Sequence, residues 1–237
     1  MQLVVCDTTT LFPALVNDAS LYRKLLVVFA WGKLHHELRA IQDEHMEIER
    51  FLAENPGSTY EGSRAEEQYE TARDRIARLE EHLPVMTPKD FGLVVSPAIT
   101  QELENNMGGI RSALGNQTPE AIEQFVGAAV AVASVYVVSG FDREIPKYTK
   151  GRDRDDDPII HTAVLARAEW ILSQDKQHIA LTHRRPTEYV DPESGRVHRA
   201  VRLSYFLERV ICSGYHFGED DLKQIDGRLL EIVLGRR

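Results

Sequence analysis

Cysteine is scarce in this sequence, with only Cys6 and Cys212 among 237 residues. Two isolated thiols supply neither a disulfide framework nor a paired metal-binding motif. The N-terminus also lacks the basic segment that precedes the apolar core of a signal peptide. Both absences favour a reduced, cytoplasmic setting.

Long apolar runs are missing too. Residues 124–141 carry no charge, but their strongly apolar part covers only residues 125–138. A membrane-spanning helix needs about 20 consecutive apolar residues. We therefore predict a buried helix in this segment and no association with a membrane.

Positive charge is in the minority, because 28 basic residues stand against 37 acidic ones and give a formal net charge of −9. This balance argues against a protein that coats nucleic acid by general electrostatic attraction. It is only a mild objection to an RNA substrate, since a local basic groove remains compatible with it. The length and the 43% apolar content suffice for one large domain that carries an insertion.

Three short apolar runs have the character of buried parallel strands. They cover residues 3–6, 91–95 and 171–173. Continuous apolar runs of this length, bounded by polar residues, are typical of strands that are buried on both faces. We expect a polar loop at residues 7–10 and then a helix from about Ala19 to Trp31.

Proline marks the start of three predicted helices, at Pro97, Pro119 and Pro158. Proline suits the first helical position because its missing N–H would have no partner there. Thr118 and Asp157, which precede two of these prolines, have side chains that can cap a helix. Strands that alternate with helices in this way predict a three-layer α/β/α fold with a central parallel sheet.

Residues 33–84 follow a different pattern. Apolar positions recur in steps of three and four from Leu34 to Leu52 and again from Ala65 to Leu83, and such heptad spacing is typical of paired helices. The turn-forming residues 55–58 separate the two runs. We predict an inserted antiparallel helical hairpin, here called the arm, within a main domain of residues 1–32 and 85–237.

The C-terminal part is rich in arginine and proline from His183 to Arg202. We predict a loop there, followed by helices over residues 203–212 and 219–234. A cluster of arginines in a loop suits phosphate binding. A solvated, ion-paired loop is the alternative, because acidic residues are interspersed.

Four acidic residues lie where a predicted strand ends or a predicted helix begins: Asp7, Glu102, Asp156 and Asp175. In an open parallel sheet such positions meet outside the carboxyl ends of the strands. Four carboxylates in one place would repel one another unless a divalent cation lay between them. Carboxylate oxygens suit Mg²⁺ or Mn²⁺, so we expect a site for one of these metals.

Simpler interpretations exist for each acid. Asp7 could form only an Asx-turn, Glu102 could be a first-turn acid favoured by the helix dipole, and Asp175 could cap a turn. Asp157, directly before Pro158, suits a helix cap.

Taken in order, these segments resemble the PIN-domain nucleases. Val5-Cys6-Asp7-Thr8-Thr9 resembles the strand-Asp-Thr-Asn/Ser motif of that family. Its second, third and fourth acidic motifs resemble residues 96–103, 153–163 and 168–176. The resemblance covers the first strand and residues 91 to about 210, but neither the arm nor the last helices.

The resemblance implies a metal-dependent endonuclease that usually acts on RNA. Asp7, Glu102, Asp156 and Asp175 would then bind Mg²⁺ or Mn²⁺ directly or through water. Asp156 is preferred over Asp157 because it stands seven residues before Ala163, as in the family pattern, although the register could slip by one residue. We predict supporting roles for Thr9, Asp153 and Ser173, and Thr9 would orient a ligand through its hydroxyl. Arg184 and Arg185 are predicted to bind RNA.

Three functions compete at this point. The first is a ribonuclease, and a narrower version makes it the toxin of a toxin–antitoxin pair whose arm binds the antitoxin or a second copy. The second is a catalytically idle PIN-like scaffold or RNA-binding protein, which the retention of four acids disfavours. The third is a phosphatase of the haloacid dehalogenase type, but Thr9 stands where that family has its second acid.

Overall fold

The computed structural model describes residues 1–16, 21–55, 74, 91–115, 118–138, 144–148, 156–175 and 185–211. The described residues form six strands: β1 (Gln2–Cys6), β2 (Phe91–Val95), β3 (Ser134–Val137), β4 (Trp170–Leu172), β5 (Thr187–Val190) and β6 (Val197–Val201). They also form seven α-helices: α1 (Thr8–Val16), α2 (Leu21–Glu54), α3 (Pro97–Asn105), α4 (Met107–Leu114), α5 (Pro119–Ala133), α6 (Asp157–Leu165) and α7 (Leu203–Tyr205). A π-helical segment, Phe206–Ile211, continues α7.

The strands form one sheet in the order β3-β2-β1-β4-β6-β5. Neighbouring strands are parallel except for β5, which runs antiparallel to β6 at one edge. The carboxyl ends of β1, β2 and β4 therefore share one edge of the sheet. This architecture confirms the predicted α/β/α fold with a central, mostly parallel sheet.

Helix α2 packs closely on the sheet at its N-terminal half. Leu25 and Phe29 are fully buried, and a Cβ added to Gly32 would lie 2.0 Å from the carbonyl oxygen of Phe91. Only glycine fits such an approach of helix to strand. None of the helices in the described ranges has the length and apolar character that a membrane crossing requires.

The same helix continues without a break to Glu54. The predicted helix end near Trp31 is therefore wrong, and the boundary proposed between residues 32 and 33 falls inside a helix. Further along, Met46 is 57% exposed and Phe51 is 49% exposed. The second helix of the predicted arm falls on residues 65–83, which lie outside the described residues except for Asp74, so the hairpin stays a prediction.

Two elements near the ends of strands differ from the expectation. Helix α1 begins at Thr8, where we expected a loop, because the carbonyl oxygen of Asp7 accepts the N–H groups of Thr10 and Leu11 at 2.9 and 3.0 Å. Strand β3 begins at Ser134, where we expected the helix to continue. β-Branched and aromatic residues at 135–137 favour pairing with β2 over a further helical turn.

A hairpin of β5 and β6 replaces the loop predicted for residues 183–202. Gly195 adopts a φ of +70° in the connecting turn, a value that suits glycine. The inward positions of β6 carry His198 and Ala200, which are almost fully buried. The polar composition of this segment favoured a loop prediction, although the segment contains two strands.

Candidate active site

Asp7 lies at the carboxyl end of β1, and its side chain is only 4% exposed. Its N–H donates to the carbonyl oxygen of Leu172 at 2.9 Å, which ties the end of β1 to the end of β4. The hydroxyl of Thr10 donates to the same carbonyl at 3.2 Å. The backbone of Asp7 is thus fixed between two strands and the first turn of α1.

The carboxylate of Asp7 accepts hydrogen bonds from three hydroxyls. Thr9 donates to Oδ2 at 2.6 Å, Ser173 donates to the same oxygen at 2.7 Å, and Thr8 donates to Oδ1 at 3.3 Å. Within the described residues, no backbone N–H donates to this carboxylate. The Asx-turn considered for Asp7 is therefore wrong, and the hydrogen bond expected from Thr9 is present.

The two hydroxyls on Oδ2 are themselves oriented by the loop after β4. The N–H of Gln174 donates to Thr9 Oγ1 at 3.1 Å, and the N–H of Asp175 donates to Ser173 Oγ at 3.0 Å. A hydroxyl oxygen that accepts an N–H keeps its own hydrogen for Asp7. Oδ2 is consequently satisfied by two short bonds, while Oδ1 retains acceptor capacity for a cation or a water molecule.

Asp175 belongs to the same network. It lies three residues beyond β4 and is half-buried, and Ser173 links its backbone to the carboxylate of Asp7. Two of the four predicted ligands therefore share one hydroxyl as a common neighbour.

Glu102 lies on α3, which begins two residues after β2 ends. It is half-buried and falls in the second turn, since the first turn of this helix contains no acid. The alternative that treated Glu102 as a first-turn acid is therefore wrong. Helix α3 therefore places Glu102 seven residues after the end of β2.

Asp156 and Asp157 open α6 in different ways. The carbonyl oxygen of Asp156 accepts the N–H groups of Ile159 and Ile160, but its side chain makes no capping bond. The carboxylate of Asp157 is 4% exposed and accepts the N–H of Tyr148 at 3.1 Å. The cap predicted at Asp157 thus lies one residue earlier, and Asp157 instead anchors residues 144–148.

The fold brings the segments of the site together without assembling a ligand set. β1 pairs with both β2 and β4, and the hydroxyl of Thr162 on α6 lies 2.8 Å from that of Ser96 at the start of α3. Among the residues that the structure describes, however, no three His, Cys, Asp or Glu side chains form a group that could hold a metal ion. Mutual repulsion of ionised carboxylates opposes such convergence.

One pair of side chains, Tyr148 and His161 of α6, was not predicted from the sequence. The phenol of Tyr148 lies 2.7 Å from Nδ1 of His161. Burial raises the pKa of Tyr148 to about 12, helped by the charges of Asp191, Asp157 and Glu193. Burial lowers the pKa of His161, although Asp191 and Glu193 oppose the shift. A neutral phenol therefore donates a hydrogen bond to a neutral imidazole. No motif or spacing in the sequence predicts this pair.

Cys6, the residue before Asp7, is fully buried. Burial raises the pKa of its thiol well above the usual value, and the charge of Asp7 adds to the shift. A protonated, buried thiol is a poor metal ligand. The carboxylates remain the residues of this edge that suit a cation.

The predicted RNA-binding arginines are only partly described. Arg185 is exposed, whereas Arg184 lies outside the described residues, as does Asp153. In the adjoining hairpin, Arg199 pairs with Glu169 at 3.0 Å and with Glu188 at 3.6 Å. Part of this basic segment is thus ion-paired, as the alternative expectation held.

Comparison with known protein families gives one match. Residues 3–177 match the family described as PIN domain. The chain therefore belongs to the PIN-domain family, as the motifs around Asp7 and Asp175 predicted. No curated protein and no solved structure gives a significant match.

Proposed function

We propose that this PIN domain is an endoribonuclease that depends on Mg²⁺ or Mn²⁺. PIN domains are generally metal-dependent nucleases, so membership supports a nuclease-type function. The observation that carries the more specific proposal is the carboxylate of Asp7, which is buried at the strand edge and oriented by Thr9 and Ser173. A carboxylate held by three hydroxyls has a fixed geometry before any ligand arrives.

The proposed ligands are Asp7, Glu102, Asp156 and Asp175. Their oxygens are hard donors that suit Mg²⁺ or Mn²⁺, and Oδ1 of Asp7 keeps acceptor capacity, so the residues fit such an ion chemically. When bound, the metal supplies an activated water and neutralises charge on the phosphodiester.

Other residues of the chain orient the ligands and contact the RNA. Ser173 and Thr9 hold the carboxylate of Asp7 in one orientation, and Ser173 also fixes the backbone of Asp175. Arg185, with Arg184, is proposed to contact the RNA backbone, since guanidinium groups suit phosphate oxygens.

Cleavage of a labelled single-stranded RNA tests this proposal. We expect internal cuts with Mg²⁺ or Mn²⁺, none with a chelator, and no hydrolysis of p-nitrophenyl phosphate. RNA that is bound but never cut would favour the idle scaffold. Hydrolysis of the phosphomonoester alone would favour the phosphatase.

A toxin role is a narrower form of the same proposal. It rests on the resemblance, since many small PIN proteins act in this way. Induced expression in a bacterial host tests it: growth arrest with the wild type, but not with Asp7→Asn, is the expected result, and unchanged growth with an active nuclease would contradict it.

A further inference from the structure

A cavity of about 830 Å³ lies between helices α3, α4 and α5, next to the end of β2 and the start of β3. Pockets that bind small organic ligands commonly have volumes of about 300–1,000 Å³. Of the residues that the structure describes around this cavity, none is a proposed metal ligand. We propose that the cavity binds a small organic cation, namely a primary amine with an apolar aliphatic or aromatic body.

The inner surface of the cavity is apolar. Leu103 of α3, Val126 of α5 and Val95 of β2 line it and are buried. Met107 and Val130 extend the same surface and are partly buried. Contact with such a surface removes a hydrocarbon body from water, which favours its binding.

Two glycines leave this space open. Gly108 lies in α4 and Gly127 in α5, and both line the cavity. A Cβ added to either would meet no atom within 4 Å beyond its own stretch of helix, and neither residue has a positive φ. Neither packing nor backbone conformation therefore requires glycine there, although glycine within a helix is less stable than alanine. The two positions keep room for a ligand at the expense of helix stability.

The hydroxyls that line the cavity present acceptors to a ligand. Ser134 donates its hydrogen to the carbonyl oxygen of Val130 at 2.6 Å, and Thr100 donates its hydrogen to that of Pro97 at 3.0 Å. Each hydroxyl has a single hydrogen, so its oxygen lone pairs are what a ligand meets. An ammonium group has three N–H donors and no acceptor, and it therefore matches these oxygens.

The charged side chains of the cavity also favour a cation. Arg111 of α4 and Glu123 of α5 form an ion pair, so their charges offset each other. Glu104 of α3 accepts the neutral amide of Gln101 at 3.2 Å, which leaves its negative charge in place. Two carboxylates and one guanidinium give the lining a net charge of −1. This charge attracts an ammonium group and repels a carboxylate.

Three probes of equal chain length and different head charge test the ligand class. We expect octylamine to bind at a single site and about 10-fold more tightly than octanoate, with 1-octanol between them, because the rim charge acts with opposite sign on the two ions. Isothermal titration calorimetry near neutral pH and at low salt measures the three affinities. Octanoate binding at least as tight as that of octylamine, or no saturable binding of octylamine, would overturn the proposal.

Gly127→Leu tests the location. The leucine side chain enters the open space, so we expect octylamine to bind at least about 10-fold more weakly because about two of its methylene groups lose their apolar contacts. The melting temperature should stay at or above that of the wild type, since leucine favours the helix more than glycine does.

Gly127→Ala is the matched control. It favours the helix in the same way but adds only one methyl group, so octylamine should bind nearly as it does to the wild type. If Gly127→Leu fails to fold, Gly108→Leu makes the same test from α4. Wild-type affinity in the folded leucine variant would place the amine elsewhere and overturn the proposal.

Glu104→Gln tests the charge. Octylamine should bind about fivefold more weakly, as expected for the loss of one opposite charge near 4 Å in a watery environment, while 1-octanol should bind as before. Glu120→Gln, in the first turn of α5 and outside the lining, is the control and should change neither affinity. An equal effect of both variants would show a general surface field and contradict a charge-selective site. Binding is measured without metal or RNA, so its outcome is independent of the proposed function.

Discussion

Asp7 and Asp191 are two buried aspartates that the fold uses in opposite ways. Asp191, at the turn between β5 and β6, accepts the N–H groups of Glu193 and Ser194 at 3.0 and 3.3 Å and also the hydroxyl of Ser194. All these partners lie within three residues. Asp7 accepts a hydroxyl from Ser173, which is 166 residues away in sequence.

The contrast separates a structural carboxylate from a positioned one. The hydroxyl of Ser194 is the main cause that holds the pKa of Asp191 below its usual value, and backbone N–H groups add to it while burial opposes. Such local bonds complete a turn. The hydrogen bond from Ser173 to Asp7 forms only when β1 and β4 lie side by side, so it indicates a site at the edge of the sheet.

Removing one hydrogen-bond donor from each aspartate should affect the rate of RNA cleavage differently. Ser173→Ala takes a short bond from Oδ2 of Asp7, and we expect cleavage of RNA to fall about 10- to 100-fold, as for other supports of metal ligands. Ser194→Ala takes the equivalent bond from Asp191 and should leave cleavage unchanged. Single-turnover rates with Mn²⁺ measure both; equal rates in the two variants would show that Ser173 has only a local role.

Arginines near the two regions should differ less strongly. Neutralising Arg184 and Arg185 is expected to weaken RNA binding several-fold for every sequence and to lower its salt slope by about 1 for each phosphate that is no longer neutralised. Arg199→Ala, which removes a residue already paired with Glu169, is the comparison. Titrations at several salt concentrations test this, and an unchanged slope in the double variant would place the RNA elsewhere.

A smaller effect is expected on the pH dependence of the free energy of unfolding, to which Asp191 contributes. Its folded-state pKa is lowered, so its hydrogen bonds stabilise the fold above the unfolded pKa of about 3.9 and are lost as the pH falls through the folded value. Asp191→Asn should therefore cost about 1 kcal/mol near pH 7 and progressively less towards pH 2. Urea unfolding across this range measures it; a constant difference would contradict the assignment.

The smallest effect on chemistry is expected from the arm. Replacing residues 34–83 by a short Gly/Ser linker should leave the cleavage rate unchanged, because the buried residues Leu25, Phe29 and Gly32 of α2 lie before the replaced segment. Self-association or partner binding should change instead, since Met46 and Phe51 are exposed. Sedimentation of the trimmed protein tests this, and global unfolding would show that the arm braces the core.

The sequence sufficed for the fold class and for the ends of the central strands. Continuous apolar runs identified β1, β2 and β4, and the pair Thr118-Pro119 identified the start of α5, where Thr118 indeed accepts the N–H of Ala121. Those signals are local, so one chain segment is enough to carry them.

Other features depend on contacts between distant segments. Strand β3 directly follows an apolar helix, and its pairing with β2 is a contact between distant segments that the sequence pattern does not show. The hydrogen bond from Thr162 to Ser96 joins residues that are 66 apart in sequence. Buried His198 and Arg202 occur in a segment whose composition is that of a loop.

The most direct test compares Asp7→Asn with Asp191→Asn. Each variant is assayed for RNA cleavage with Mn²⁺ and for thermal unfolding in a chelator. We predict that Asp7→Asn loses at least about 100-fold in cleavage but unfolds at the wild-type temperature or slightly above, since a charge leaves a site of like charges. Asp191→Asn should cleave normally and unfold earlier. An Asp7→Asn variant that cuts RNA at the wild-type rate would contradict the account.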